Sequence, residues 1–239
     1  MKKQLLAVIT LVFISAQIVC QEVDSLYVWA YPELNIRQSE DPNSKVISYI
    51  PYGEKVLPDW SFSSNYLDLK VKDSSLYENK MTQELKLRGK MVKVNYDGKI
   101  GYVFSGYLSK FPTFNLNMSF DDYLISEYDT LKTIQYKHPL YSDQKIYQNG
   151  IVSFMYSGCM GCGETTYIIP GISLQEGFLI AYNMLNLGNN SYLEYDHLGW
   201  YVIKRTEDYI EIRGSIEVDI FISIRKSYSY TTIIVGYYN

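Results

Sequence analysis

The residues best suited to chemistry are Cys159 and Cys162, in the segment SGCMGCGE, which holds three glycines in eight residues. Four readings of the pair stand side by side. A disulfide in a glycine turn is the first, because glycine permits tight turns and an oxidising compartment favours the bond. A redox-active pair is the second. That use wants a helix opening at the motif to lower the first thiol's pKa, whereas the residues that follow, GETTYIIPG, read as a strand. Half of a zinc site is the third. It needs two more ligands, and the sequence offers His138 and His197 but no second Cys-x-x-Cys. Two free thiols in a loop is the fourth. Nucleophilic catalysis by Cys159 would need His197 as base and a third group to orient it. His197 lies in YDHLGW, where a lone histidine near a tryptophan is more often a structural residue. Glycosidase chemistry needs only two carboxylates. Among 26 acids no pair stands out, and Asp121-Asp122 is explained as charge at a helix start. No catalytic residue, metal or cofactor is therefore assigned.

A second set of candidates is aromatic. The chain holds 25 tyrosines against nine phenylalanines and three tryptophans. Tyrosine suits strands and half-wet surfaces, because its ring packs while its hydroxyl reaches water. Tyr27, Trp29 and Tyr31 alternate, so on one strand they would share a face. They are either a hydrophobic seam between neighbouring units or the aromatic wall of a ligand groove. In the second reading Tyr52, Trp60 and Tyr102 are the companion residues, and the groove would bind extended peptide by stacking and shape.

The elements that must position these residues are mostly strands. Leu34 and Ile36 alternate with Asn35 and Arg37, and the polar run QSEDPNSK that follows is built of turn formers. Residues 46–50 return as a strand, broken by Pro51-Tyr52-Gly53. Val92 and Val94 alternate with Lys93 and Asn95, and Asp97-Gly98 is a two-residue hairpin signal before a strand over 100–103. Gly101 inside that strand predicts a bulge or a close backbone approach. Phe111-Pro112-Thr113 reads as a linker. Beyond it, Ser119 caps a helix over 120–131, and Ser173 with Glu176 forms a capping box opening a helix over 174–185 that Gly188-Asn189-Asn190 ends. Strands are predicted within 134–155 and over 165–169, 200–204, 209–212, 216–224 and 231–238. The fold class is mainly β, with an antiparallel sheet and one main helix in an α+β unit over 115–239.

Residues 1–20 carry Lys2, Lys3 and the apolar run LLAVITLVFISA, the pattern of an export signal and short for a bilayer span. A retained anchor is the alternative, and Cys20 allows a third outcome, acylation in a lipoprotein. Removal of the signal takes the net charge from −4 to −6, which gives no long-range attraction for nucleic acid or anionic lipid. No other stretch is apolar enough to span a membrane.

Leu34-Asn35-Ile36-Arg37, the polar loop, residues 46–51, Gly53 and Val56, then Val92-Lys93-Val94, Asp97-Gly98-Lys99, Gly101-Tyr102-Val103 and Tyr107-Leu108 together resemble a bacterial SH3-type domain over residues 26–110. The resemblance implies a five- to six-stranded SH3-like β-barrel that binds cell-wall peptide or another protein in a shallow aromatic groove, and no enzyme. Two departures stand out. Met91 replaces the usual Trp, and residues 61–90 are longer than the usual connection. Such modules often accompany cell-wall peptidases, yet the Asp-Cys-Ser-Gly and Ser-His-Gly-Cys patterns of those enzymes are absent. The expectation is an exported, periplasmic, outer-envelope or secreted binding protein. Its partners would be peptide, peptidoglycan or another envelope protein. The alternatives are a cell-wall cysteine hydrolase using Cys159 and His197, and a structural protein that self-associates through the barrel.

Overall fold

The structure is a computed structural model. It describes residues 25–78, 80–136, 142–159, 162–185, 200–215 and 219–238. The export signal, Cys20, His138, His197 and the glycine-asparagine run 188–190 lie outside these residues.

The N-terminal half is built of short strands: β1 (Leu26–Val28), β2 (Glu33–Arg37), β3 (Val46–Pro51), β4 (Lys55–Val56) and β5 (Asp59–Ser63), then β6 (Leu67–Lys72), β7 (Leu76–Tyr77), β8 (Lys80–Met81) and β9 (Leu85–Gly89), then β10 (Met91–Tyr96), β11 (Lys99–Phe104), a 3-10 turn (Ser105–Tyr107) and β12 (Leu108–Ser109). The β10–β11 turn is the hairpin anticipated at Asp97-Gly98, with φ of 47° and 73°; two positive φ values are what such a turn demands. A closed barrel does not form. Strands β3-β2-β11-β10-β5 make one sheet and β12-β1-β4 another. With β4 and β12 only two residues long, no ladder continues around the circumference. The two sheets instead pack around Val28, Leu34, Ile36, Ile50, Val56, Val92, Val94, Val103 and Leu108.

Gly101 resolves as a close approach rather than a bulge, since β10 and β11 pair without a break from Met91/Phe104 to Tyr96/Lys99. A Cβ at Gly101 would lie 2.5 Å from Ile36 Cγ2 and 2.6 Å from the Arg37 carbonyl oxygen. Gly101→Ala is expected to cost about 1–3 kcal/mol by overpacking, read as a lowered denaturant midpoint; an unchanged midpoint would show that the two strands can spread.

The C-terminal half begins with α1 (Phe120–Glu127), capped by Ser119, whose Oγ accepts from the Asp122 N–H at 3.1 Å. The helix stops four residues short of the predicted end because Thr130 already pairs with Tyr147. Strands β13 (Thr130–Tyr136), β14 (Ser142–Tyr147), β15 (Val152–Cys159) and β16 (Cys162–Pro170) follow, then α2 (Leu174–Met184), then β17 (Trp200–Arg205), β18 (Tyr209–Ser215), β19 (Asp219–Ser227) and β20 (Tyr230–Tyr238). All eight strands form one sheet in the order β13-β14-β15-β16-β20-β19-β18-β17. The C-terminal half thus runs as two helix-plus-four-strand units whose last strands, β16 and β20, pair antiparallel from Gly163/Tyr237 to Pro170/Tyr230. Mainly β is the fold class observed, and among the described residues the α-helices lie in the C-terminal half.

Helix α2 is enclosed rather than laid on a surface. The capping box forms as predicted, Ser173 with Glu176. Phe178, Leu179, Ile180 and Ala181 are all buried, and so is Asn183. One side meets Ile210, Ile222, Ile224 and Ile233 of the sheet; the same cluster continues into Trp29, Leu85, Leu87, Met91 and Phe104 of the N-terminal half. Phe111, the first residue of the predicted linker, and Phe114, just after it, are buried in it as well. The long connection over 61–90 explains part of this continuity. Its β6–β9 pair supplies Leu85 and Leu87, and the Gln83 N–H donates to the Val202 carbonyl at 2.7 Å while Gln83 Oε1 accepts from the Arg205 N–H at 2.6 Å. The insertion therefore covers part of the β17 edge, where unpaired backbone groups would otherwise face water.

Candidate functional site

Strand β2 places the site. Leu34 and Ile36 point into the N-terminal core and are buried, so Glu33, Asn35 and Arg37 must leave the opposite face. There they border a cavity of about 280 Å³. Its floor is apolar: Met91 and Phe104 from β10 and β11, Leu67 and Leu69 from β6, and Phe178 and Leu179 from α2. Met91 is buried in the cluster that also holds residues of α2 and forms part of this floor. The cavity thus has walls from both halves of the chain and from the insertion.

Phenols supply further polarity. Tyr107 and Tyr182 both border the cavity. Burial, and then the neighbouring Tyr182, pushes the Tyr107 hydroxyl up to about 12, and burial raises Tyr182 too. Both are neutral hydrogen-bonding groups near pH 7. Arg37 is held in place by one bond, Nη1 donating to the Ser44 carbonyl at 2.6 Å.

The predicted aromatic groove is only partly assembled. Trp29 and Tyr31 border the cavity. Tyr52 stands behind them, its ring edge-on to Trp29 at 6.1 Å and to Tyr31 at 5.9 Å, with its hydroxyl donating to the Phe114 carbonyl at 3.1 Å. Burial holds the Tyr52 phenol far above its ordinary value. Trp29 is 1% exposed, with Nε1 donating to the Phe111 carbonyl at 2.9 Å, whereas Tyr31 is 42% exposed. Trp29 is therefore the seam and Tyr31 the surface. The shared face predicted for Tyr27, Trp29 and Tyr31 is lost because β1 stops at Val28. Tyr27 lies under the Lys55 ammonium, 4.8 Å from its ring centre. Trp60 is more than half exposed on β5, and Tyr102 is half-buried on β11 opposite Arg37. These three do not border the cavity. Glu33, Asn35 and Arg37 carry no site signal in the sequence. Their alternation with Leu34 and Ile36 is legible in the sequence; that the outer face shares a cavity with residues of α2 is not.

Cys159 and Cys162 are backbone partners across the β15–β16 turn, and Cys162 is disulfide-bonded. A sulfur in a disulfide is neither a thiolate nucleophile nor a metal ligand. Among the described residues, no group of three or more His, Cys, Asp or Glu is placed to hold a metal ion, and no helix is long and apolar enough to cross a membrane.

Fold and cavity together define a mainly β protein with an amphipathic cleft at the junction of its two halves. No family model, no curated protein and no solved structure matches the chain.

Proposed function

We propose that this chain is an exported, non-enzymatic binding protein of the bacterial cell envelope, whose SH3-like N-terminal half holds a peptide, from the cell wall or from another envelope protein, in the cleft beside β2. The observation that carries this reading is the cleft itself. It joins an apolar floor, an exposed Tyr31 and three polar side chains in one row. Extended peptides are held in such places by pockets for alternate side chains and by stacking. The disulfide at Cys162 agrees with an oxidising compartment, and the basic, then apolar, start of the sequence agrees with export.

The test is calorimetric titration of the full mature chain with soluble peptidoglycan fragments and with unstructured peptides. Saturable binding is expected, weakened about tenfold or more in Tyr31→Ala, as for an aromatic anchor at an interface. Two results would overturn the reading: no saturable binding to either class, or turnover of the fragments that disappears in Cys159→Ala.

A further inference from the structure

Glu33, Asn35 and Arg37 occupy alternate positions of β2, with Leu34 and Ile36 between them turned inward. From Glu33 to Arg37 the backbone advances four residues, about 13 Å at roughly 3.3 Å per residue. The two do not form an ion pair with each other, and neither has a partner among the ion pairs of the described residues, such as Lys70–Asp73, Lys86–Glu84 and Arg213–Glu211. Arg37 uses one donor on Ser44, and a guanidinium has five. One bond thus anchors it while most of its donors stay available. Asn35, between the two charges, is half-buried and carries both a donor and an acceptor. The cleft therefore presents a negative group, a neutral hydrogen-bonding group and a positive group in order along β2, whose pairing with β3 shifts between Ile36 and Arg37, above an apolar floor.

The complement of that row is a short extended chain with opposite charges at its ends. A strand of four residues spans about the same 13 Å, since an extended ligand rises by the same step as β2. We infer that the cleft selects a zwitterionic peptide of about four residues, with its carboxylate on Arg37, its ammonium at Glu33 and its main chain on Asn35. The ligand then runs parallel to β2, and its side chains alternate between solvent and the apolar floor. Arg37 takes the carboxylate because a planar guanidinium matches a carboxylate with two parallel bonds. Glu33 is exposed, so its pairing is the weaker of the two. This inference rests on the peptide-binding reading and adds to it the ligand's length, direction and end charges.

The experiment uses the full mature chain and four probes: the peptide Ala-Leu-Leu-Ala with free ends, its N-acetylated form, its C-amidated form and the form blocked at both ends. Amidation is expected to weaken binding about tenfold and acetylation about threefold. Arg37→Gln should bind amidated and free peptides equally while still preferring a free amino end. Glu33→Gln should show the reverse pattern. Each variant loses only its own discrimination, so a folding defect, which would weaken every probe alike, is told apart. Equal binding of free and blocked peptides to the unaltered chain would overturn the charge-reading row while leaving peptide binding intact. So would losses that persist unchanged in both variants. If neither these probes nor peptidoglycan fragments bind saturably, it is the underlying reading that fails.

Discussion

Trp29→Ala is expected to remove about 3–5 kcal/mol of stability, the range for truncating a large buried aromatic, and to melt both halves of the chain in one step. Trp29 is 1% exposed and meets three rings, Tyr52, Phe111 and Phe114, at 5.8–6.2 Å. Its Nε1 donates to Phe111, its backbone N–H donates to the Tyr107 carbonyl at 2.8 Å, and its carbonyl accepts from Asn183 Nδ2 at 3.4 Å. The residue thus ties β1, the segment between the halves and α2 together. Replacement by alanine empties the site and leaves the Phe111 carbonyl without this donor inside an apolar cluster. A loss of that size is a large fraction of the 5–15 kcal/mol typical of a domain. Calorimetry checks both parts. Two separate transitions in the unaltered chain, or a loss below about 1 kcal/mol in the variant, would mean that the continuous core does not couple the halves.

Alkali should act as strongly. Tyr123 and Tyr167 are 3% and 4% exposed. Burial raises both phenols well above their ordinary value. The bond to Tyr128 adds to this for Tyr123, and the Asp121 carboxylate, which accepts from Tyr167 Oη at 2.9 Å, adds to it for Tyr167. In the unfolded chain both ionise near pH 10. Below that pH neither state loses a proton, and the stabilisation is complete. Above it the unfolded state releases protons that the folded state keeps, so stability falls until the folded-state values are reached. Each phenol contributes about 1.4 kcal/mol per pH unit, so the pair alone removes about 3 kcal/mol per unit above pH 10. Denaturant midpoints measured at stepwise higher pH should drop steeply. A flat profile through that window would show that both hydroxyls reach water in the folded chain.

How much of this was legible beforehand differs by element. The hairpin at Asp97-Gly98, the cap at Ser119 and the box at Ser173 and Glu176 were readable because each is decided by residues within a few positions. Their signals are backbone angles and side-chain bonds to nearby N–H groups. The site was less legible. Cys159 and Cys162 drew attention by residue type, yet the cleft is made by ordinary residues. Glu33 and Arg37 look like any solvated strand face until Phe178 and Tyr182 are brought to the same cavity.

By itself, then, the sequence determined the local register: which residues of β2 point in and out, where the helices begin, and that strands dominate. Tertiary structure alone decided that the barrel stays open, that β16 pairs with β20, and that α2 closes the third wall of the cleft. The reason is range. Alternation and caps are set by neighbours, whereas the face on which Trp29 is buried is set by partners such as Asn183, 154 residues away. Trp29 shows the division plainly. Its place in an aromatic row was in the sequence; its choice of seam over groove was made by the helix that packs on it.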